Sequence, residues 1–132
     1  MFEFLKIIQT LAKKNILVIE DNHAILDVIT LILESEAFNV DGLNKGADFI
    51  NRVQEFNPDV IIMDIMLPDA DGRVLLKELK DTATTNHIPV LMISARYNAN
   101  NYTLNGIEAD DFMAKPFNID ELMDKIYALL RK

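Results

Sequence analysis

Five short apolar runs, each set off from the next by a stretch of helical spacing or turn residues, constrain this chain more than any other feature. They cover residues 16–19, 38–40, 60–63, 90–93 and 112–114. Continuous rather than alternating apolar character suits strands covered on both faces, the pattern of a parallel sheet between helix layers. Between the runs, residues 24–36 place Ile25, Val28, Ile29, Ile32 and Leu33 on one side of a helix. Residues 47–56 carry Phe49, Ile50 and Val53, residues 73–80 carry Val74, Leu75 and Leu79, and residues 119–130 carry Leu122, Ile126 and Leu129. Residues 97–109 read poorly as a helix, because Asn98, Asn100, Asn101 and Asn105 favour caps and turns. A short or mobile helix is expected there. The sum is an α/β domain doubly wound about a five-stranded parallel sheet.

Residues 1–14 stand apart as an N-terminal amphipathic extension, with the main domain expected over residues 15–132. Read as a helix, the extension gathers Met1, Phe4, Leu5, Ile8, Leu11 and Ala12 on one face and Glu3, Lys6, Thr10, Lys13 and Lys14 on the other. Glu3 and Lys6 interrupt the apolar stretch a signal peptide needs. A packing role is favoured, on its own domain, in a dimer or on a partner, over a membrane-surface helix, for which the basic face is too short. The full 132 residues suit one compact core. The net charge of −8 argues against sequence-independent binding of nucleic acid, which needs Lys and Arg on phosphates. With no cysteine, thiolate metal sites and Cys nucleophiles are excluded. No apolar run approaches a bilayer span, so a soluble, cytoplasmic domain without membrane insertion is expected. The helical pattern runs to the end of the sequence, so no output domain is expected to follow.

In open parallel sheets, ligands bind beyond the carboxyl ends of the strands. At those ends stand Glu20 and Asp21, then Asp64, Ser94, and Lys115 with Pro116. Carboxylates brought so close repel unless a positive charge sits among them. Oxygen donors of this kind suit Mg²⁺, with Mn²⁺ a second possibility. A carboxylate beside such an ion and a lysine can attack a phosphoryl group, while the cations offset charge on its equatorial oxygens. Each residue has a blander reading: Glu20 and Asp21 as helix caps, Asp64 as a strand end, Ser94 as a turn residue, Lys115 as a solvated cation. Their recurrence at successive strand ends is the stronger signal. His23 and His87 read as surface residues, and Met63, Met92 and Met113 as core fillers.

The stretches ILVIEDN, VIIMDIMLPDADG, VLMISA and ADDFMAKPF resemble the receiver domain of two-component response regulators, over nearly all the chain from Asn15. The resemblance implies a flavodoxin-like strand order, 2-1-3-4-5, and a stand-alone receiver of a two-component system or phosphorelay. It implies that Asp64 is the phosphoacceptor and Asp21 the direct metal ligand, with Glu20 acting through water and the Met66 backbone carbonyl completing the set. Ser94 becomes the switch hydroxyl, Lys115 the ammonium on the phosphoryl group, and Phe112 the aromatic whose rotamer reports activation. Pro68 and Gly72 fit the turn into the third helix, with Asp71 at its start. Glu20 replaces the Asp often found first in the acidic pair. Phe112 lacks a tyrosine hydroxyl, and Glu108 stands where a Gly is usual, on the flank of the fourth helix.

Such a domain is a signalling module rather than an enzyme, with only slow self-catalysed phosphoryl uptake and loss. Its implied donor is a sensor histidine kinase or phosphotransfer protein, and its implied output a downstream protein target, reached through the face of the fourth helix, fifth strand and fifth helix. No direct nucleic-acid contact is expected, and the N-terminal helix could form a homodimer. Three other readings fare worse. A haloacid-dehalogenase-like phosphatase needs an Asp where Met66 stands. A flavin-binding module would lack a Ser/Thr-rich phosphate loop after the first strand. A degenerate receiver used only for protein contacts is opposed by five filled site positions.

Overall fold

The computed structural model describes residues 13–95, 103–104 and 107–132. Five parallel strands form the sheet: β1 (Asn15–Ile19), β2 (Asn39–Leu43), β3 (Val60–Asp64), β4 (Val90–Ser94) and, further along, β7 (Asp111–Ala114). Their order is β2-β1-β3-β4-β7, the expected arrangement with the fifth parallel strand at one edge. Four helices are described: α1 (His23–Ser35), α2 (Phe49–Phe56), α3 (Gly72–Asp81) and α4 (Ile119–Leu130).

The apolar runs are continuous because successive residues face opposite layers, both of them buried. Ile16, Val18, Val60, Ile62, Leu91 and Ile93 pack with Ile29 and Leu33 of α1 and with Leu122, Ile126 and Leu129 of α4. Their neighbours Leu17, Ile19, Ile61, Met63, Val90 and Met92 pack with Phe49 and Val53 of α2 and Leu75, Leu76 and Leu79 of α3. Met63, Met92 and Met113 are core residues, as expected. Val28 and Val74 are not: each is about half exposed, 54% and 51%, at the rim of its helical face. Helix starts are set by side-chain caps. Asn22 Oδ1 accepts from the Ile25 amide at 3.1 Å, Asp71 Oδ1 from the Arg73 amide at 2.9 Å, and Asn118 Oδ1 from the Glu121 amide at 2.6 Å.

Two expectations are corrected. The second strand lies at 39–43 rather than 38–40, paired with β1 from Asn15↔Asn39 to Ile19↔Leu43. Phe38 belongs to the core, but the strand itself is an edge whose residues are mostly partly exposed, so apolar character does not mark it. In place of the expected helix over 97–109, the described residues form an antiparallel pair, β5 (Thr103–Leu104) with β6 (Ile107–Glu108). The sequence between these strands is Asn105-Gly106, the dipeptide that favours a two-residue hairpin. Ala109 packs against the core, while residues 97–102 and 105–106, like the helix expected over 1–14 up to residue 12, lie outside the described residues. Lys13 and Lys14, which are described, are not helical. Among the described residues, no helix is long and apolar enough to cross a membrane.

Candidate functional site

Parallel strands leave their carboxyl ends side by side, and register decides which residues meet there. Pairing of Asp64 with Ile93 and of Ser94 with Ala114 sets the ends of β3, β4 and β7 in step. Glu20 is held just beyond β1, its amide donating to the Leu43 carbonyl at 2.9 Å. Lys115 follows β7 and is tied to β4 by its amide, which donates to the Ser94 carbonyl at 2.8 Å. Glu20 and Ser94 are fully buried, Asp64 nearly so, and Asp21 is exposed.

Among the described residues, Glu20, Asp21 and Asp64 each offer a carboxylate oxygen within 4.8 Å of the others. The Lys115 ammonium reaches into this group, donating to Asp64 Oδ2 at 2.9 Å and pairing with Glu20 Oε1. The other oxygens are also engaged. Asp64 Oδ1 accepts from the Met66 amide at 3.0 Å, and Glu20 Oε2 from the Asn22 amide at 3.2 Å. Because Asn22 is the cap of α1, neither Glu20 nor Asp21 is there to cap the helix.

One ammonium does not balance three carboxylates. Burial pushes the Glu20 carboxyl up from 4.5 to about 7, with Lys115 and the Asn22 amide opposing and Asp64 reinforcing the rise. Burial alone would lower the Lys115 ammonium, but its bonds to Glu20 and Asp64 outweigh that and leave it raised. The donor set is all oxygen, anionic and partly open to solvent through Asp21, which fits a hard divalent cation. A pH prediction follows for the metal-free protein. Glu20 holds its proton more tightly folded than unfolded, so its contribution is complete below pH 4.5 and is lost as pH rises through about 7. Stability should fall across that window by up to about 3 kcal/mol, and Glu20→Gln should flatten the slope in denaturant titrations. An unchanged slope in the variant would assign it elsewhere.

Phe112 sits in β7 and packs, half-buried, against the α2–α3 layer, with Met92 opposite it in register. Ser94 lines a cleft of about 360 Å³ together with Met66, Asp71 and Arg73. Met66 is half exposed, and the loop from Met66 to Asp71 closes as a tight turn with the Leu67 amide on the Ala70 carbonyl at 3.2 Å. Two features of this rim were not visible in the sequence. Arg73 binds Asp71 through Nη2 at 2.6 Å, and Asp69 Oδ1 accepts from the Gly46 amide at 2.8 Å, joining this loop to the one before α2. No spacing pattern marks either. His23 and His87 are exposed, as expected of surface residues.

The sequence profile of the response regulator receiver domain matches residues 16–127. The chain is 36% identical over 119 residues to the phosphate regulon transcriptional regulatory protein PhoB of Rhizobium meliloti, covering 89% of this chain and 52% of that one. It is 34% identical over 119 residues to the DNA-binding dual master transcriptional regulator RpaA of Synechocystis, covering 89% and 49%. In structure it matches a CheY-like response regulator receiver domain protein from Methanospirillum hungatei with TM-score 0.82 and 28% identity, over 91% of this chain and 95% of that one. The chain thus spans about half the length of these regulators. That overturns the partner expectation built on net charge and size. Relatives of this chain are transcriptional regulators, one named as DNA-binding, so nucleic acid cannot be struck from the partners by the charge of this segment alone. On the extent of the profile and the identity to these regulators, the chain belongs to the response regulator receiver domain family of two-component signalling.

Proposed function

We propose that this domain accepts a phosphoryl group on Asp64 from a phosphohistidine donor, with Mg²⁺ bound beside it. The observation that carries the reading is the meeting of Glu20, Asp21 and Asp64 with Lys115 at one sheet edge. Receiver domains generally bind Mg²⁺ at an acidic pocket, and the donors here would be Glu20, Asp21, Asp64 and the Met66 backbone carbonyl. When bound, the ion supplies positive charge to the transferring group and to the carboxylates that face it.

In the transfer, an Asp64 carboxylate oxygen forms a bond to phosphorus as the phosphorus–nitrogen bond to the donor imidazole breaks. The imidazole leaves as the neutral base once it takes up a proton. Lys115, already on Asp64 Oδ2, orients that carboxylate and then offsets charge on the phosphoryl oxygens. Ser94, at the adjacent strand end, donates its hydroxyl to the arriving group, and Phe112 moves with it. The packing change spreads to β7, α4 and the β5–β6 hairpin, which stands where a fourth helix was expected. By likeness to its relatives, the output is control of transcription.

The test is to incubate the chain with Mg²⁺ and a small phosphoramidate donor and to follow intact mass. A single phosphoryl adduct is expected, removed by hydroxylamine as an acyl phosphate is, and absent when EDTA replaces Mg²⁺. No adduct, or one stable to hydroxylamine, defeats the reading.

A further inference from the structure

The cleft of about 360 Å³ beside the proposed acceptor runs from the loop after β3 to the end of β4. Ile65, the residue after Asp64, lines it together with Met66, Ser94, Asp71 and Arg73. Among the described residues that line it, Arg73 is the one cation. Asp64 therefore has two differently furnished sides. Its Oδ2 accepts from Lys115 at 2.9 Å, and its Oδ1 accepts from the amide of Met66, a residue of the cleft, at 3.0 Å.

Helix preference does not explain Arg73. It stands in the first turn of α3, which holds no acidic residue, although the helix dipole disfavours a cation there. Asp71 fixes its place instead. Nε lies 3.0 and 3.2 Å from the two Asp71 oxygens, and Nη2 lies 2.6 Å from Oδ2. The guanidinium holds the Asp71 carboxyl below its ordinary pKa, so the pair stays charged at neutral pH. Asp71 is itself bridged to Met66, and the Gly72 amide donates to the Ile65 carbonyl at 2.7 Å. A short run of contacts thus leads from Asp64 through Met66 and Asp71 to the guanidinium. No hydrogen bond among the described residues engages Nη1, so one end of the planar fork is unengaged beside the cleft.

We propose that Arg73 selects phosphodonors by their leaving group, favouring small acyl phosphates, whose leaving group departs as a carboxylate. This rests on the reading of Asp64 as the acceptor. Displacement at phosphorus is in line, so the leaving group points away from the attacking oxygen. An Asp64 oxygen bonds to phosphorus as the bond from phosphorus to the acyl oxygen breaks. The electron pair stays on that oxygen, and no proton is needed. One mixed anhydride is exchanged for another, and Nη1 donates to the departing carboxylate, which it matches in charge and plane. With phosphoramidate, the leaving nitrogen takes up a proton and departs as neutral ammonia, leaving Arg73 no charge to meet. The cleft stands near the small end of the range of ligand sites, about 300–1,000 Å³, which suits an acyl group of few carbons.

The full chain is incubated with Mg²⁺ and either acetyl phosphate or phosphoramidate at equal ionic strength, and the rate of adduct formation is read by intact mass. Arg73→Gln should slow labelling by acetyl phosphate about tenfold, less than in an enclosed site because the Arg73 side chain is 29% exposed. Labelling by phosphoramidate should slow at most about twofold. Arg73→Lys, which keeps the charge and loses the fork, should fall between parent and Arg73→Gln. Arg52→Gln removes a cation paired with Asp41 on the edge strand and should leave the ratio of the two rates unchanged. A parallel fall with both donors would place Arg73 on the phosphoryl group or in the fold and overturn the proposal. No fall with acetyl phosphate, or the same change of ratio in Arg52→Gln, would overturn it as well. Labelling of the parent by phosphoramidate alone would overturn it while leaving Asp64 as acceptor, whereas no labelling by either donor would remove the acceptor and this proposal together.

Discussion

Asp64→Asn should bring phosphoryl incorporation from a phosphoramidate donor below detection, at least about 100-fold under the parent chain. The amide preserves the shape of the side chain and can still accept from the Met66 amide, a bond of 3.0 Å in the parent. It loses the negative charge that makes the oxygen a nucleophile, and with it the ion pair to Lys115 at 2.9 Å. Lys115 then rests on Glu20 alone. The loss of one of three carboxylates should also weaken Mg²⁺ binding by about tenfold or more, because affinity in such oxygen sites follows ligand charge. Intact-mass labelling and a Mg²⁺ titration by calorimetry check the two effects separately. Labelling equal to the parent would move the acceptor to Asp21 or Glu20 and sink the assignment of Asp64.

The buried Glu20 explains why this site is poised rather than simply acidic. A fully buried carboxyl with a pKa near 7 is a group that a divalent cation can displace a proton from at neutral pH. Mg²⁺ should therefore bind more tightly as pH rises from about 6 to 8, with protons released on binding. In the same window the metal-free protein is losing the stability tied to that proton. On the proposed reading, metal and proton are alternative occupants of one charge-crowded edge.

The three central strands were legible because burial on both faces leaves an uninterrupted apolar run, and Ile16–Ile19, Val60–Met63 and Val90–Ile93 obey that rule. The site was legible for a related reason. In a parallel sheet the residue after each run is placed by the run itself, so Glu20, Asp64, Ser94 and Lys115 follow from where the strands end. What failed lay at the margins of the sheet. Edge strand β2 is held by backbone pairing rather than by apolar side chains, so its limits drifted toward Phe38. At residues 97–109, asparagines weaken a helical pattern without by themselves specifying a strand pair, although Asn105-Gly106 is a hairpin signal in its own right. The contacts of Arg73 with Asp71 and of Asp69 with Gly46 depend on how two loops lie over the strand ends. No local pattern encodes them. Net charge misled most, because a count over one segment says nothing about what a longer regulator containing such a segment binds.

Gly72→Ala should unsettle the fold and the site together. A Cβ at this position would stand 2.4 Å from the carbonyl oxygen of Asp64, 2.9 Å from the Cα of Ile65 and 3.2 Å from the Asp64 carbonyl carbon. All three are backbone atoms, so no rotamer change relieves the contact. The close approach is held by the Gly72 amide donating to the Ile65 carbonyl at 2.7 Å, and by the Asp71 cap that starts α3. Either the start of α3 lifts off or the end of β3 shifts, and the second displaces Asp64 from Lys115. Overpacking against side chains that can yield costs about 1–3 kcal/mol, so a backbone clash should reach the upper end of that range or pass it. For a domain of this size that lowers Tm by about 10 °C. Where the end of β3 shifts, phosphoryl uptake should slow along with it, since the proposed acceptor Asp64 ends that strand. The control is Gly42→Ala on edge strand β2, where the three atoms nearest the new methyl all belong to the Leu26 side chain, the nearest at 3.2 Å, which can turn aside. That variant should lie within about 1 kcal/mol of the parent and label normally. Equal stability for the two variants would mean that the approach of α3 to the end of β3 is looser than 2.4 Å allows.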